Sequence, residues 1–200
     1  MPVKPSVPFV GLTGGMGSGK STALEALRGL GAEVISSDAV VHELYEGPQL
    51  RDAVVARFGA EVAPDGVVDR AALARRAFAT AEDRAWLEGL VWPLVGARVA
   101  AWLEQARAMR PAPPAAVVEV PLLFEAGLDQ LYDATIAVVS DESLRKHRAA
   151  ARGHASVDER AARQLPQQEK AQRATFVVRN DGSIEELERE LSAVLGKLAG

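Results

Sequence analysis

The sequence predicts an α/β protein, a five-stranded parallel sheet with helices on both faces. Two observations carry that expectation. Short apolar runs alternate with amphipathic stretches along the chain, as they do where strands are buried on both sides beneath flanking helices. The first such unit is joined by a glycine-rich segment, Gly14-Gly15-Met16-Gly17-Ser18-Gly19-Lys20-Ser21, which turns a strand straight into a helix.

That segment fits the spacing G-x-x-x-x-G-K-[ST], a phosphate-binding loop of nucleoside-triphosphate enzymes. Residues 7–12 before it read as a short buried strand. Residues 21–28 after it read as an amphipathic helix, with Leu24, Leu27 and Leu30 at helical spacing. In such a loop the amides of Gly15, Met16, Gly17, Ser18 and Gly19 converge on one anion at a helix N-terminus. Lys20 adds a full positive charge for the outer phosphates. The Ser21 hydroxyl, with Thr22 beside it, suits Mg²⁺. A nucleotide and Mg²⁺ are the expected ligands.

Gly29-Leu30-Gly31 ends the first helix, and residues 32–36 read as the second strand. Asp38 then falls at the carboxyl end of that strand, the edge where ligands gather in open parallel sheets. It is equally suited to cap the helix expected over 39–45, and position alone leaves both roles open. Gly47-Pro48 breaks the chain. Helical patterns follow over 50–58, 70–79 and 83–109, the last with a break expected at Trp92-Pro93. Pro64-Asp65-Gly66 reads as a turn, a candidate hairpin tip. Residues 42–110 are thus predicted to form a helical insert of the kind that makes the acceptor side of a kinase cleft. A stiff proline linker over 110–114 leads to a third strand at 115–120. Glu119 at its end is placed either to reach Mg²⁺ through water or simply to solvate a strand terminus. The apolar loop Pro121-Leu122-Leu123-Phe124 follows, again at the carboxyl edge. Residues 134–139 and 175–178 are the fourth and fifth strands, and Asn180-Asp181-Gly182-Ser183 turns into a final helix through 195.

Composition narrows the possible partners. The chain has 200 residues, a net charge of −4 and 48% hydrophobic residues, which argues for an ordered globular protein and against a general binder of nucleic acid or membrane surfaces. Cysteine is absent, so disulfides, thiolate metal sites and cysteine nucleophiles are excluded. No apolar run approaches the length of a membrane span, and the opening residues do not read as a signal segment. The expectation is a cytoplasmic protein acting on a small molecule, without nucleic acid, membrane or obligate protein partner.

Against that acidic background, residues 141–173 carry eight basic and five acidic side chains. Arg145, Arg148 and Arg152 are spaced to share one helix face. A solvated face is the plainer reading of such a stripe. Because it follows a core strand whose end should lie beside the phosphate loop, an arginine lid that closes over a triphosphate is favoured. His42, His147 and His154 show no metal-ligand spacing. Trp86, Trp92 and Trp102 are expected to pack within helices. GxSxG, HExxH and CxxC are absent, leaving hydrolase, zinc-protease and thiol-redox readings without support.

Taken together, these motifs resemble the dephospho-coenzyme A kinase family. Residues 11–22, Gly-Leu-Thr-Gly-Gly-Met-Gly-Ser-Gly-Lys-Ser-Thr, look like its opening. In the family's order there follow Val34-Ile35-Ser36-Ser37-Asp38, Phe58-Gly59, Asp69-Arg70-Ala71-Ala72-Leu73, Leu87-Glu88-Gly89-Leu90-Val91-Trp92-Pro93 and Glu119-Val120-Pro121-Leu122-Leu123-Phe124-Glu125. The arginine stripe and Asn180-Asp181-Gly182-Ser183 complete the series, which spans residues 9–183. Three positions depart from the family pattern: Ser36 and Glu119 stand where it has aspartates, and Trp92 where it has a histidine. An arginine–glutamine pair beyond the stripe aligns either to Arg160 with Gln164 or to Arg163 with Gln167.

The resemblance implies a P-loop NTPase-type fold and transfer of the γ-phosphoryl of ATP to the ribose 3′-hydroxyl of dephospho-CoA. The alternative is another small-molecule or nucleoside monophosphate kinase of the same fold. The implied core comprises 8–41, 115–140 and 174–200, with a substrate-binding insert at 42–110 and a lid at 141–173. In such a transfer the loop amides hold the β-phosphate region, Lys20 bridges β and γ, and Ser21 ligates Mg²⁺. Asp38 would orient the acceptor hydroxyl and take its proton. Arg148, with Arg145 or Arg152, would close over the γ-phosphate. Asn180 is the candidate for adenine contact. Arg70, Pro121, Leu122 and Leu123 are the candidates, with Asp38, for holding the acceptor.

Overall fold

The structure, a computed structural model, describes residues 7–151 and 164–199. Five strands form one parallel sheet: β1 (Phe9–Gly14), β2 (Glu33–Ser36), β3 (Ala116–Glu119), β4 (Ala134–Val139) and β5 (Phe176–Arg179). Their order across the sheet is β2-β3-β1-β4-β5. β1 is central, and every residue from Val10 to Gly14 is buried, as a strand covered on both faces requires. It extends two residues past the run expected from hydrophobicity, because Thr13 and Gly14 continue the ladder against Ala137 and Val138 of β4. β4 has the predicted bounds and is buried throughout.

The chain divides into two compact units. One comprises residues up to Ser36 and from Leu103 onward; the other is Ser37–Trp102. In the first unit the sheet is covered by α1 (Lys20–Gly29) and the last helix, α8 (Ile184–Ala199). α1 buries Ala23, Leu24, Ala26 and Leu27, and α8 buries Leu187, Leu191, Val194 and Leu195. These are one-sided stripes at helical spacing. Both meet Val10, Leu12, Val117, Ile136 and Val178 of the strands in a single core. α6 (Glu142–Ala151) follows β4, and α7 (Gln167–Arg173) precedes β5. Arg152, His154, Arg160 and Arg163 lie outside the described residues.

The second unit contains α2 (Ser37–Glu46), α3 (Pro48–Phe58) and α4 (Arg70–Ala77); α5 (Ala81–Ala108) begins in it. Its core gathers Leu50, Val54, Val62, Leu73, Leu87 and Val91. Two expectations fail here. Pro64-Asp65-Gly66 is a 3₁₀ turn and no hairpin tip, with Asp65 at φ 55°, a left-handed conformation that aspartate tolerates. The predicted break at Pro93 is also absent, for α5 runs through it unbroken. A proline inside a helix forfeits one hydrogen bond. Here Leu87 and Val91 before it and Leu94 and Val95 after it all pack on the same core, which holds the helix together across the gap. Trp86 packs edge-on against Phe58, ring centroids 5.5 Å apart. Trp92 does not pack as expected and is 56% exposed.

α4 begins with a side-chain cap. Asp69 accepts from the amides of Ala71 and Ala72 at 2.9 and 3.0 Å. The Ala72 and Ala71 amides hold its carboxyl below the usual carboxylate range. A group depressed in the folded state stabilises above its unfolded value, and the contribution is lost as pH falls through the folded one. Asp69→Ala is therefore expected to lower Tm at pH 7 and to leave it unchanged near pH ~2. Thermal melts at the two pH values check this; an equal deficit at both would assign the loss to something other than the charged cap.

Candidate active site

The glycine-rich turn lies at the carboxyl end of β1, flanked by β3 on one side and β4 on the other. A crevice at that end, where neighbouring connections leave in opposite directions, is the usual ligand site of an open α/β sheet. Gly19 is the N-cap of α1 at φ 88°, and no side chain caps the helix. The amides of the first helical turn are thus not taken by a capping side chain, which suits an anion. Lys20 is the first helical residue, and its ammonium donates to the carbonyls of Gly14 and Gly15 at 3.1 and 3.2 Å. Ser21 follows it, exposed in the first turn, with Thr22 half-buried beyond.

Two glycines in the turn are required by their surroundings. Gly17 has φ 73°, and a Cβ there would collide with the backbone carbonyl of Arg145. At Gly19 a Cβ would collide with the Asn180 amide. So α6 and the β5–α8 turn press directly on the loop, bringing Arg145, Arg148 and Asn180 to it from more than a hundred residues away.

Each of those residues is held by named bonds. Arg145 donates through Nε to the Met16 carbonyl at 3.0 Å, and its guanidinium covers Gly15. Arg148 donates through one NH group to the Asn180 carbonyl at 3.0 Å and the Ser140 hydroxyl at 3.2 Å. That same nitrogen lies 3.9 Å from where a Cβ on Gly19 would sit. Asn180 is buried and donates its amide to the Ser18 carbonyl at 2.9 Å. Asp141 immediately precedes α6, and its carboxylate accepts from the Ser143 hydroxyl and amide at 2.6 and 2.9 Å. Those two bonds hold the Asp141 carboxyl below its ordinary range.

Sequence reasoning had left Gln164 and Gln167 as two alternative alignments and had passed over Ser140. The Gln164 side-chain oxygen accepts from the Met16 amide at 3.1 Å. Gln167 donates to the Ser140 carbonyl at 2.8 Å and accepts from the Ser140 amide at 3.2 Å, tying α7 to the end of β4. A cavity of about 460 Å³ opens here, lined by Gly15, Met16, Arg145, Gln164 and Gln167 among others. It is a concave space of mixed lining beside the phosphate loop.

On the other side of β1, the register sets Glu119 opposite Leu12 and Ser36. Glu119 is the last residue of β3 and half-buried. Beyond it, Pro121 and Leu122 of the apolar loop are partly exposed, while Leu123 and Phe124 are buried. In the second unit, Asp38 is the second residue of α2 and exposed. Arg70 opens α4, with one guanidinium nitrogen 3.4 Å from His42 Nδ1. No group of three or more histidine or acidic side chains among the described residues could hold a metal ion.

This arrangement provides an anion cradle with cationic side chains at its rim, which is equipment for binding a polyphosphate and steadying charge as one phosphoryl group moves. A family model described as dephospho-CoA kinase matches residues 8–186. A dephospho-CoA kinase of Anaeromyxobacter dehalogenans is 42% identical over 196 residues, covering 96% of this chain and 92% of that protein. A solved structure from Thermus thermophilus superposes with a TM-score of 0.80 at 36% identity, covering 97% of this chain and 99% of the other. The structure of a dephospho-CoA kinase from Campylobacter jejuni shares the fold, with a TM-score of 0.62 at 22% identity and 96% and 97% coverage.

Proposed function

From a chain that belongs to the dephospho-CoA kinase family of ATP-dependent kinases, we propose the following division of labour among its residues. The nucleotide-binding core is 8–41, 115–140 and 174–200, the acceptor side is 42–110, and the lid is 141–173. The observation that carries this reading is the convergence of Arg145, Arg148 and Asn180 on the Gly14–Ser21 turn.

The amides of Gly15 to Gly19 and the start of α1 bind the phosphates of ATP. Lys20 already lies against the loop carbonyls and is placed to exchange them for phosphate oxygens. Asn180, bonded to the Ser18 carbonyl, is assigned the adenine contact. Pro121 and Leu122, the exposed part of their loop, face the acceptor, with Leu123 packed beneath. Asp38 orients the ribose 3′-hydroxyl of dephospho-CoA and accepts its proton as the γ-phosphoryl transfers, giving CoA and ADP. Arg145 and Arg148 neutralise charge on the migrating group and exclude water, which limits idle hydrolysis. Arg152, which the sequence spacing also puts in that stripe, lies outside the described residues.

Magnesium fits the donor set. Ser21 and Glu119 offer hard oxygens, and no multi-carboxylate cluster competes among the described residues. Mg²⁺ characteristically uses few protein ligands together with water and phosphate oxygens. When bound it supplies neutralising charge to the phosphates. No helix among the described residues is long and apolar enough to cross a membrane, and the cytoplasm is the compartment we assign to the reaction.

The test is incubation with ATP, Mg²⁺ and dephospho-CoA, with the position of the new phosphate read by NMR. A phosphorus resonance coupled to the ribose 3′ proton is the expected result. Phosphate at another position, or faster turnover with a nucleoside monophosphate, would replace the acceptor assignment.

A further inference from the structure

The largest fully buried side chain among the described residues is a lysine. Lys170, in the middle of α7, is 0% exposed. Stripping an ammonium of water costs several kcal/mol, and the cost is recovered only when each of its donors finds an acceptor. Here three acceptors meet it: Glu125 Oε1 at 2.8 Å, the Pro121 carbonyl at 2.7 Å and Thr13 Oγ1 at 3.4 Å. Burial pushes the Lys170 ammonium below the ordinary lysine value, and the Glu125 carboxylate pulls it back. Pairs of this kind contribute little net stability compared with apolar packing of the same volume. What this one fixes is geometry.

Two of its three acceptors, Pro121 and Glu125, fall on one segment, and the third, Thr13, bonds to that segment's first carbonyl. Pro121 opens the apolar loop, and its carbonyl accepts from Lys170 and, at 3.3 Å, from the Thr13 hydroxyl. The far end of that loop is gripped from the same helix. Arg173, one turn after Lys170, lies over the Phe124 ring at 4.8 Å and donates to the Phe124 carbonyl at 3.4 Å. Glu125, which pairs with Lys170, also accepts from the Leu165 amide at 2.7 Å. α7 therefore holds the loop at its first residue and at its fourth, leaving Pro121 and Leu122 partly exposed between the two grips.

We propose that α7 is a clamp that positions the acceptor-side loop, with Lys170 and Arg173 as positioning residues for dephospho-CoA. The proposal rests on the reading of Pro121 and Leu122 as acceptor contacts. The clamp acts on the acceptor and leaves the nucleotide largely alone, because the phosphate loop has its own bonds to Arg145, Gln164 and Asn180. A residue needed only for folding would change the amount of active protein. A clamp changes how each folded molecule handles one substrate.

The experiment compares the full-length chain with Lys170→Met, Lys170→Arg and Arg173→Ala, with activity expressed per folded molecule from circular dichroism. Lys170→Met is expected to lower kcat/KM for dephospho-CoA at least ~10-fold while KM for ATP stays within about twofold. Lys170→Arg restores most of the loss, because it returns a cation that reaches Glu125 and Pro121. Arg173 is partly exposed, so its replacement leaves the fold intact and decides the matter if Lys170→Met does not fold. Arg173→Ala is expected to raise KM for dephospho-CoA about threefold or more, again without changing KM for ATP. Wild-type values for Arg173→Ala, equal losses for both substrates, or a Lys170→Arg variant no better than Lys170→Met would each overturn the clamp. Wild-type protein runs in the same assay: if it does not phosphorylate dephospho-CoA, the acceptor reading has failed and not the clamp.

Discussion

Asp38→Asn is expected to cut phosphoryl transfer about 10²-fold or more, about 2.7 kcal/mol of barrier, while ATP binding stays within twofold. The substitution keeps the size and shape of the side chain and removes its capacity to take a proton. Asp38 is the second residue of α2, immediately beyond the carboxyl end of β2, and its side chain is exposed. β2 pairs with β3, and Ser36 stands opposite Glu119, so this strand end belongs to the ligand-facing edge of the sheet. A general base typically contributes 10²–10⁴-fold, and a carboxylate serving only to start α2 contributes nothing to transfer. Single-turnover rates with saturating ATP and dephospho-CoA, together with equilibrium nucleotide binding, separate the two roles. Near-normal turnover would return Asp38 to the helix terminus.

Arg148→Ala is expected to lower kcat about 10²-fold, the range for losing one preorganised cation or donor at a developing charge. Its guanidinium spans the ends of β4 and β5 through Ser140 and Asn180 and lies beside Gly19. That gives the residue a second job, because Asn180 in turn holds Ser18. Thermal melts distinguish the two contributions. A lower kcat with Tm nearly unchanged assigns Arg148 to the reaction. If Tm falls and kcat per folded molecule does not, Arg148 is a tie between strand ends.

The sheet was legible because its strands announce themselves locally. In β4, Ala134–Val139, an unbroken apolar run coincides with complete burial. The phosphate loop was legible for a related reason, since its spacing encodes its own backbone shape. What escaped depends on partners distant in sequence. Nothing in Gln167-Gln168-Glu169-Lys170 marks the lysine as buried; its acceptors Pro121 and Glu125 lie over forty residues earlier. Pro93 was read as a breaker because helix propensity is a local quantity, whereas the packing of Leu87, Val91, Leu94 and Val95 is not. Trp92 was assigned to packing on hydrophobicity alone, and it faces solvent. Glu125 had a signal, its place at the end of the Pro-Leu-Leu-Phe motif, but its role became readable only with Lys170 beside it.

The ammonium of Lys20 rests on the carbonyls of Gly14 and Gly15, and Arg145 on that of Met16. Those contacts cross-brace the turn. A turn braced in this way has little backbone freedom to lose, so little of a phosphate's affinity is consumed in ordering it. Discrimination at the phosphate loop is accordingly rigid, a matter of whether the ligand's geometry matches the mould.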